Sequence, residues 1–295
     1  MTRLRTGIRS SLHVDDRERT FTVLGDDNGA PERPLVIVFH GSRQSAEVHR
    51  RFTGDPLAPL AERGEAVIAY LDGCRGNWND ARRESRFPAR LDGIDDVAFA
   101  RAVIDRLAST HGIDRDRVIA LGYSNGGQMV FRLVHDAPGL VAAAIVIAAT
   151  MPAPESFVRS TDTVALRAVP VTLVHGTLDR IVPYGGGTMS RWAQAAFKVG
   201  GRSLSAPDNA RYLAERNGIA GAPTTRAIPA GLGARGTRVT RAAYRAPDAP
   251  PVTLYTVERG GHTVPGPTAA PRILGRTAGD ISVLGLVEEA LRVVS

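Results

Sequence analysis

Apolar residues run along the chain in two rhythms. Near-continuous runs at Leu35 to Phe39, Ala66 to Tyr70, Val118 to Leu121, Val141 to Ala148 and Val171 to Val174 alternate with stretches whose apolar positions recur at helical spacing. Uninterrupted Val, Ile and Leu predict strands covered on both faces, and helices between them predict βα units wound around a mainly parallel sheet. Phe99, Val103 and Leu107 line one face of a helix between Asp96 and Thr110, with Asp95 or Asp96 available as its cap. Leu284, Val287 and Leu291 repeat that pattern after Asp280 and predict a closing amphipathic helix.

Two pairs of segments read as hairpins. Thr6 to Val14 and Arg19 to Leu24 flank the polar Asp15-Asp16-Arg17 turn and predict an edge hairpin. Arg238 to Tyr244 and Pro251 to Glu258 predict a second hairpin around Ala246-Pro247-Asp248. Residues 185–251 otherwise turn to Gly, Pro, Ala and Arg, with a helical island from Ala206 to Asn217 that Ser205 caps and Gly218 ends. We read residues 1–295 as one α/β domain, with 185–251 an insertion that shapes the site.

Composition narrows the function classes. Cys74 is the only cysteine, which excludes an internal disulfide and a multi-cysteine metal site. The net charge of +7 invites an acidic partner, yet the cations are scattered arginines with Lys198 the only lysine, and no basic block or aromatic interleaving accompanies them. A solvated basic surface is expected, and no nucleic-acid partner. No apolar run reaches the roughly 20 residues of a membrane span, and the basic N-terminal segment is not followed by a signal-peptide core. A cytoplasmic protein without a membrane partner is therefore expected.

The densest local signal is Gly122-Tyr123-Ser124-Asn125-Gly126-Gly127, between the strand ending at Leu121 and a helical pattern from Gln128 to His135. A serine between two such glycines fits a sharp strand-to-helix turn that lifts its hydroxyl clear of the sheet. Serine at its free pKa is a weak nucleophile, so Ser124 needs a histidine base and an orienting carboxylate, which follow in the order Ser, acid, His on this type of turn. Of seven histidines, His135, His175 and His262 lie after Ser124. His135 is on the serine's own helix, and His175 ends a strand where it would shape the turn presenting an acid. His262, in Gly260-Gly261-His262 beyond the last predicted strand, is the candidate base. Asp179, in the loop after Val171 to Val174, is the candidate acid, whereas Asp136, Asp162, Asp208, Asp248 and Asp280 lack a strand-end setting. An oxyanion hole would use the Asn125 N–H and the Ser42 N–H, the latter from the His40-Gly41-Ser42 loop, with His40 as an organiser and not a base.

These motifs together resemble the α/β-hydrolase esterases grouped with polyhydroxybutyrate depolymerases and feruloyl esterases. The resemblance runs through His40-Gly41, Tyr70 to Gly73, Asn77 to Asp80, Asp95 to Val97, Gly122 to Gly127, His175 to Tyr184 and Gly260 to Gly266. It implies an α/β-hydrolase fold and a carboxylic ester hydrolase working through an acyl-enzyme, with Ser124, Asp179 and His262 in the matching triad positions. It also implies substrate contacts near His40, Gly41, Trp78 and Tyr123, although packing in the core is an equal reading for Trp78. The chain departs from the family where Leu71 follows Tyr70 in place of Pro, where Tyr123 replaces Met, and where Val264 replaces Trp beside the candidate base.

The expected reaction is hydrolysis of a small-molecule or short hydroxyacid ester, needing no metal or organic cofactor. The lack of a signal-peptide pattern argues against an external polymer as substrate. Two other readings use the same residues: acyl transfer to an alcohol or amine, and a noncatalytic binding protein that keeps the fold.

Overall fold

The computed structural model describes residues 7–27, 31–158, 167–189, 192, 194–195, 199–231 and 233–294, so Thr6, Asp162 and Lys198 lie outside the described residues. In chain order the strands and helices are β1 (Ile8–Val14), β2 (Arg17–Leu24), β3 (Arg33–Phe39), α1 (Ala46–Thr53), α2 (Ala58–Glu62), β4 (Val67–Leu71), α3 (Pro88–Leu91), α4 (Asp96–His111), β5 (Ile113–Tyr123) and α5 (Asn125–Asp136). There follow β6 (Ala143–Ile147), β7 (Val171–Gly176), β8 (Gly187–Thr188), β9 (Arg202–Ser203), α6 (Ala206–Arg216), β10 (Thr224–Ile228), β11 (Arg238–Ala246), β12 (Ala249–Glu258) and α7 (Val283–Val293).

Ten strands form one sheet in the order β1-β2-β4-β3-β5-β6-β7-β12-β11-β10. From β4 to β12 every neighbouring pair is parallel, and antiparallel hairpins extend the sheet at both edges. This is an α/β-hydrolase fold. The residues of β3 are all buried, with Leu35, Ile37 and Phe39 packed in one core and Val36 and Val38 in the other. Residues of α4, α5 and α6 cover the first face, and residues of α1, α2 and α7 cover the second. Each such Val, Leu or Ile removed from water contributes about 1.5–3 kcal/mol, which is why the unbroken apolar runs become the centre of the sheet.

Local chemistry sets the element ends. The first hairpin turns on Asp15 and Asp16, both at positive φ (48° and 58°), with Val14 paired to Arg17, as a two-residue hairpin turn matching strand twist requires. The second turns on Pro247-Asp248, with Asp248 at φ 59° and Ala246 paired to Ala249. Asp95 caps α4 by accepting from the Ala98 N–H, leaving Asp96 to turn inward to Arg19 at 2.6 Å. Ser205 and Ser282 cap α6 and α7. In α7 the buried positions are Val283, Leu286, Val287 and Ala290, with the expected Leu284 and Leu291 partly buried at the margin.

The 185–251 stretch is woven into the fold, because β10 and β11 add to the main sheet and α6 packs on β12, β7 and β11. No helix among the described residues is long and apolar enough to cross a membrane.

The chain leaves β3 for β4 on one side and returns to place β5 on the other. At that reversal the loops after β3 and β5 diverge, opening a crevice at the carboxyl ends of the strands. His40 to Ser42 follow β3, and Ser124 follows β5.

Candidate active site

Ser124 joins β5 to α5 with φ 54° and ψ −115°, a strained conformation for a residue with a side chain. The turn is held by the Ser124 N–H donating to Ile147 O at 2.9 Å. Its glycines are obligatory on packing grounds: a Cβ on Gly122 would stand 2.2 Å from Gly126 O, and one on Gly126 would stand 2.0 Å from Phe39 O. The G-x-S-x-G spacing is thus the sequence image of two backbones passing without room for a methyl group.

Ser124, His262 and Asp179 come together in one hydrogen-bonded chain. His262 Nε2 lies 2.9 Å from Ser124 Oγ, and its Nδ1 lies 2.7 Å from Asp179 Oδ2. A carboxylate only accepts, so Nδ1 carries the ring proton and Nε2 accepts from the serine hydroxyl. Asp179 Oδ1 accepts the Ile181 and Val182 N–H groups, each at 2.8 Å. Burial works against the Asp179 charge, but His262, His175 and the Val182 N–H outweigh it and hold the carboxyl below its usual range. Asp179 therefore stays ionised in a dry setting, where its hold on the imidazole is strongest.

His175, expected to shape the acid's turn, stands 3.5 Å from Asp179 Oδ2, and its Nε2 lies 2.9 Å from Val182 O. Burial lowers its pKa, so the neutral ring donates to that carbonyl and closes the Asp179 loop. His135 is at the end of α5, its Nδ1 2.7 Å from Phe131 O and its ring stacked on Tyr212, away from the triad.

The backbone of Asn125 begins α5, so its N–H has no intrahelical acceptor and sits at the positive end of the helix dipole. Its side chain is occupied: Oδ1 accepts the Trp78 N–H at 3.0 Å, and Nδ2 donates to Asp80 Oδ2. Ser42 is half-buried at the crevice, following buried Gly41.

Of the two readings of Trp78, substrate contact and core packing, its placement fits packing in the core. Trp78 is fully buried, edge-on to Phe39 at 5.1 Å and donating from Nε1 to His40 O at 2.9 Å, so it supports the site from below. His40 and Tyr123 are likewise buried. The Tyr123 hydroxyl donates to His262 O at 2.9 Å, and its ring packs on the imidazole at 5.2 Å. Tyrosine in place of the family's methionine thus buttresses the base. Gln128, Val182, Gly187, Met189 and Arg202 border a narrow cleft beside the acid's loop.

Two polar residues behind the site, Gln44 and His49, are not legible from sequence, whereas Asp80 is legible only as part of a motif. Gln44 and His49 stand behind the His40 loop, and Asp80 anchors the Asn125 side chain and pairs with Arg82. Asn77 to Asp80 belonged to the recognised motif, but nothing in the spacing of Gln44 or His49 marks either as an inward-facing group.

Comparison with known proteins gives esterases. Residues 80–201 match a family described as Phospholipase/Carboxylesterase. The chain is 32% identical over 263 residues to a protein of Nocardia uniformis subsp. tsuyamanensis named "Putative esterase NocK", covering 86% of this chain and 74% of that one. It is 29% identical over 201 residues to Feruloyl esterase B of Piromyces equi, covering 66% of this chain but 34% of that protein. An acetyl xylan esterase from Aspergillus awamori superposes with a TM-score of 0.60 at 14% identity, over 88% of this chain and 95% of that one, a likeness of fold. The chain belongs to the family of the esterase NocK, and is a carboxylic ester hydrolase on the α/β-hydrolase fold.

Proposed function

We propose that this esterase is a serine hydrolase that cleaves a small-molecule or short hydroxyacid ester through an acyl-enzyme. The observation that carries the reading is the continuous relay from Ser124 Oγ through His262 to Asp179, at 2.9 and 2.7 Å. His262 Nε2 takes the hydroxyl proton as Ser124 Oγ attacks the ester carbonyl, and Asp179 stabilises the resulting imidazolium without taking a proton. The Asn125 and Ser42 N–H groups hold the oxyanion. Collapse breaks the bond to the alcohol, which leaves with the proton from His262. A water then loses a proton to His262, attacks the acyl carbon and releases the acid and free Ser124. Every proton is returned, so the cycle runs on the small-molecule ester and water, without a metal or organic cofactor.

The resemblance of the site motifs to those of polyhydroxybutyrate depolymerases and feruloyl esterases supports a small-molecule or short hydroxyacid ester as substrate. The test is hydrolysis of a panel of nitrophenyl and feruloyl esters by wild type and Ser124→Ala, with a fluorophosphonate probe counting reactive serines. Turnover and single labelling in wild type, both lost in Ser124→Ala, are expected. A wild-type protein that neither hydrolyses nor labels would overturn the reading.

A further inference from the structure

Gly41 lies between two peptide planes, and the structure holds both. In the His40–Gly41 plane, His40 O accepts from Trp78 Nε1 at 2.9 Å, and the Gly41 N–H donates to Gln44 Oε1 at 3.0 Å. In the Gly41–Ser42 plane, Gly41 O is 2.8 Å from His40 Nδ1. The direction of that last bond follows from the other ring nitrogen: His40 Nε2 is 2.9 Å from the Gly73 N–H and must accept, so Nδ1 carries the proton. A trans peptide sets its N–H opposite its C=O. Holding Gly41 O on His40 therefore turns the Ser42 N–H to the far side, and it is the one pole of the two planes with no partner among the described residues.

We infer that His40 and Gln44 are positioning residues for ester hydrolysis, which fix φ and ψ of Gly41 and so aim the Ser42 N–H at the oxyanion before substrate arrives. The inference rests on the acyl-enzyme reading above. Gln44 is itself held, since His49 Nδ1 lies 3.1 Å from the same Oε1. Gly41 is the only residue the clamp admits, because a Cβ there would stand 2.8 Å from the Tyr123 ring, one residue before the nucleophile. The two donors of the oxyanion hole are thereby referenced to one ring: Tyr123 leads into the Ser124–Asn125 turn and leaves no room for a side chain at Gly41. A donor aimed in advance costs no reorganisation when charge develops, so its benefit falls on the transition state and not on substrate binding.

The test compares a disruptive and a conservative variant at each residue. His40→Leu and Gln44→Leu remove the bonds to Gly41, while His40→Asn keeps a donor near Nδ1 and Gln44→Glu keeps an acceptor. With nitrophenyl acetate, the leucine variants are expected to lose roughly 10- to 100-fold in kcat with KM little changed, and the conservative variants to recover most of it. Leucine variants with wild-type kcat, a loss confined to KM, or no recovery in the conservative pair would overturn the clamp. If a leucine variant fails to melt cooperatively, hydrogen exchange of the wild-type Gly41 amide decides: protection is expected, and exchange at the open-chain rate overturns it. A wild type that neither hydrolyses nor labels with fluorophosphonate would instead defeat the acyl-enzyme reading itself.

Discussion

Acidification should weaken this protein well before its carboxylates titrate. Burial holds the pKa of His40 at about 4, and burial together with neighbouring His40 holds that of His49 at about 3. In the unfolded chain both return to about 6.5. Between those values the unfolded state binds protons that the native state refuses, so stability is full above about pH 6.5 and falls as pH drops toward 4 and then 3. At pH 5 the medium lies about 1.5 units below the unfolded value, and at ~1.4 kcal/mol per unit each histidine costs about 2 kcal/mol. Together they cost about 4 kcal/mol, a large share of the 5–15 kcal/mol typical of a native protein. His175 and His111 are lowered in the same direction and add to the loss. The assay is urea unfolding at pH 7.5, 6.5 and 5.0, where the midpoint should fall by about 1–2 M between the extremes. His49→Asn should lose about half of that pH dependence, whatever its stability at pH 7.5. An unchanged midpoint from pH 7.5 to 5.0, or a His49→Asn slope equal to wild type, would refute the argument.

Asp179→Asn should lower kcat on the order of 10⁴-fold while the fold persists, measured with the best nitrophenyl ester, because the amide no longer fixes the imidazole tautomer. Gly126→Ala should destabilise by at least about 3 kcal/mol, seen as a depressed melting temperature, since its Cβ would press on Phe39 O at 2.0 Å. Arg19→Met should cost about 3–5 kcal/mol in urea unfolding, because it strands Asp96, which is wholly buried and bonded to Arg19 at 2.6 Å.

How much of this could be read from the chain depends on which force made each element. Burial on both faces marks β3, β4, β6 and β7 so strongly that their predicted spans differ from the observed ones by one or two residues at most ends. β5 begins five residues earlier than its apolar run, at Ile113, which pairs with Arg33; the polar Asp114 to Arg117 that follow form an irregularity in the register with β3 and leave no hydrophobic trace. β10 was missed for the same reason: Thr224 to Ala227 are exposed, and the strand exists through its pairing with β11. The clustering of Ser124, His262 and Asp179 was legible because it combines a local steric motif with an order rule that few histidines and acids satisfy. Trp78 was ambiguous because an aromatic in a loop motif looks alike whether it faces a groove or the core. Gln44 and His49 were invisible because a polar residue's inward turn depends on a partner that only the folded chain supplies.

The relay joins residues 138 and 83 positions apart in sequence, drawn from the loops after β5, β7 and β12. No local segment, and no half of the sheet, contains it. Parallel strands with long crossovers pair slowly because chain closure has to precede their contacts. Ester turnover should therefore reappear last when the unfolded chain is returned to water, after helical signal and after most tryptophan burial. For this esterase, regained activity is a clock for the final closure of the sheet, and partly folded chains released early would carry an exposed, harmless serine.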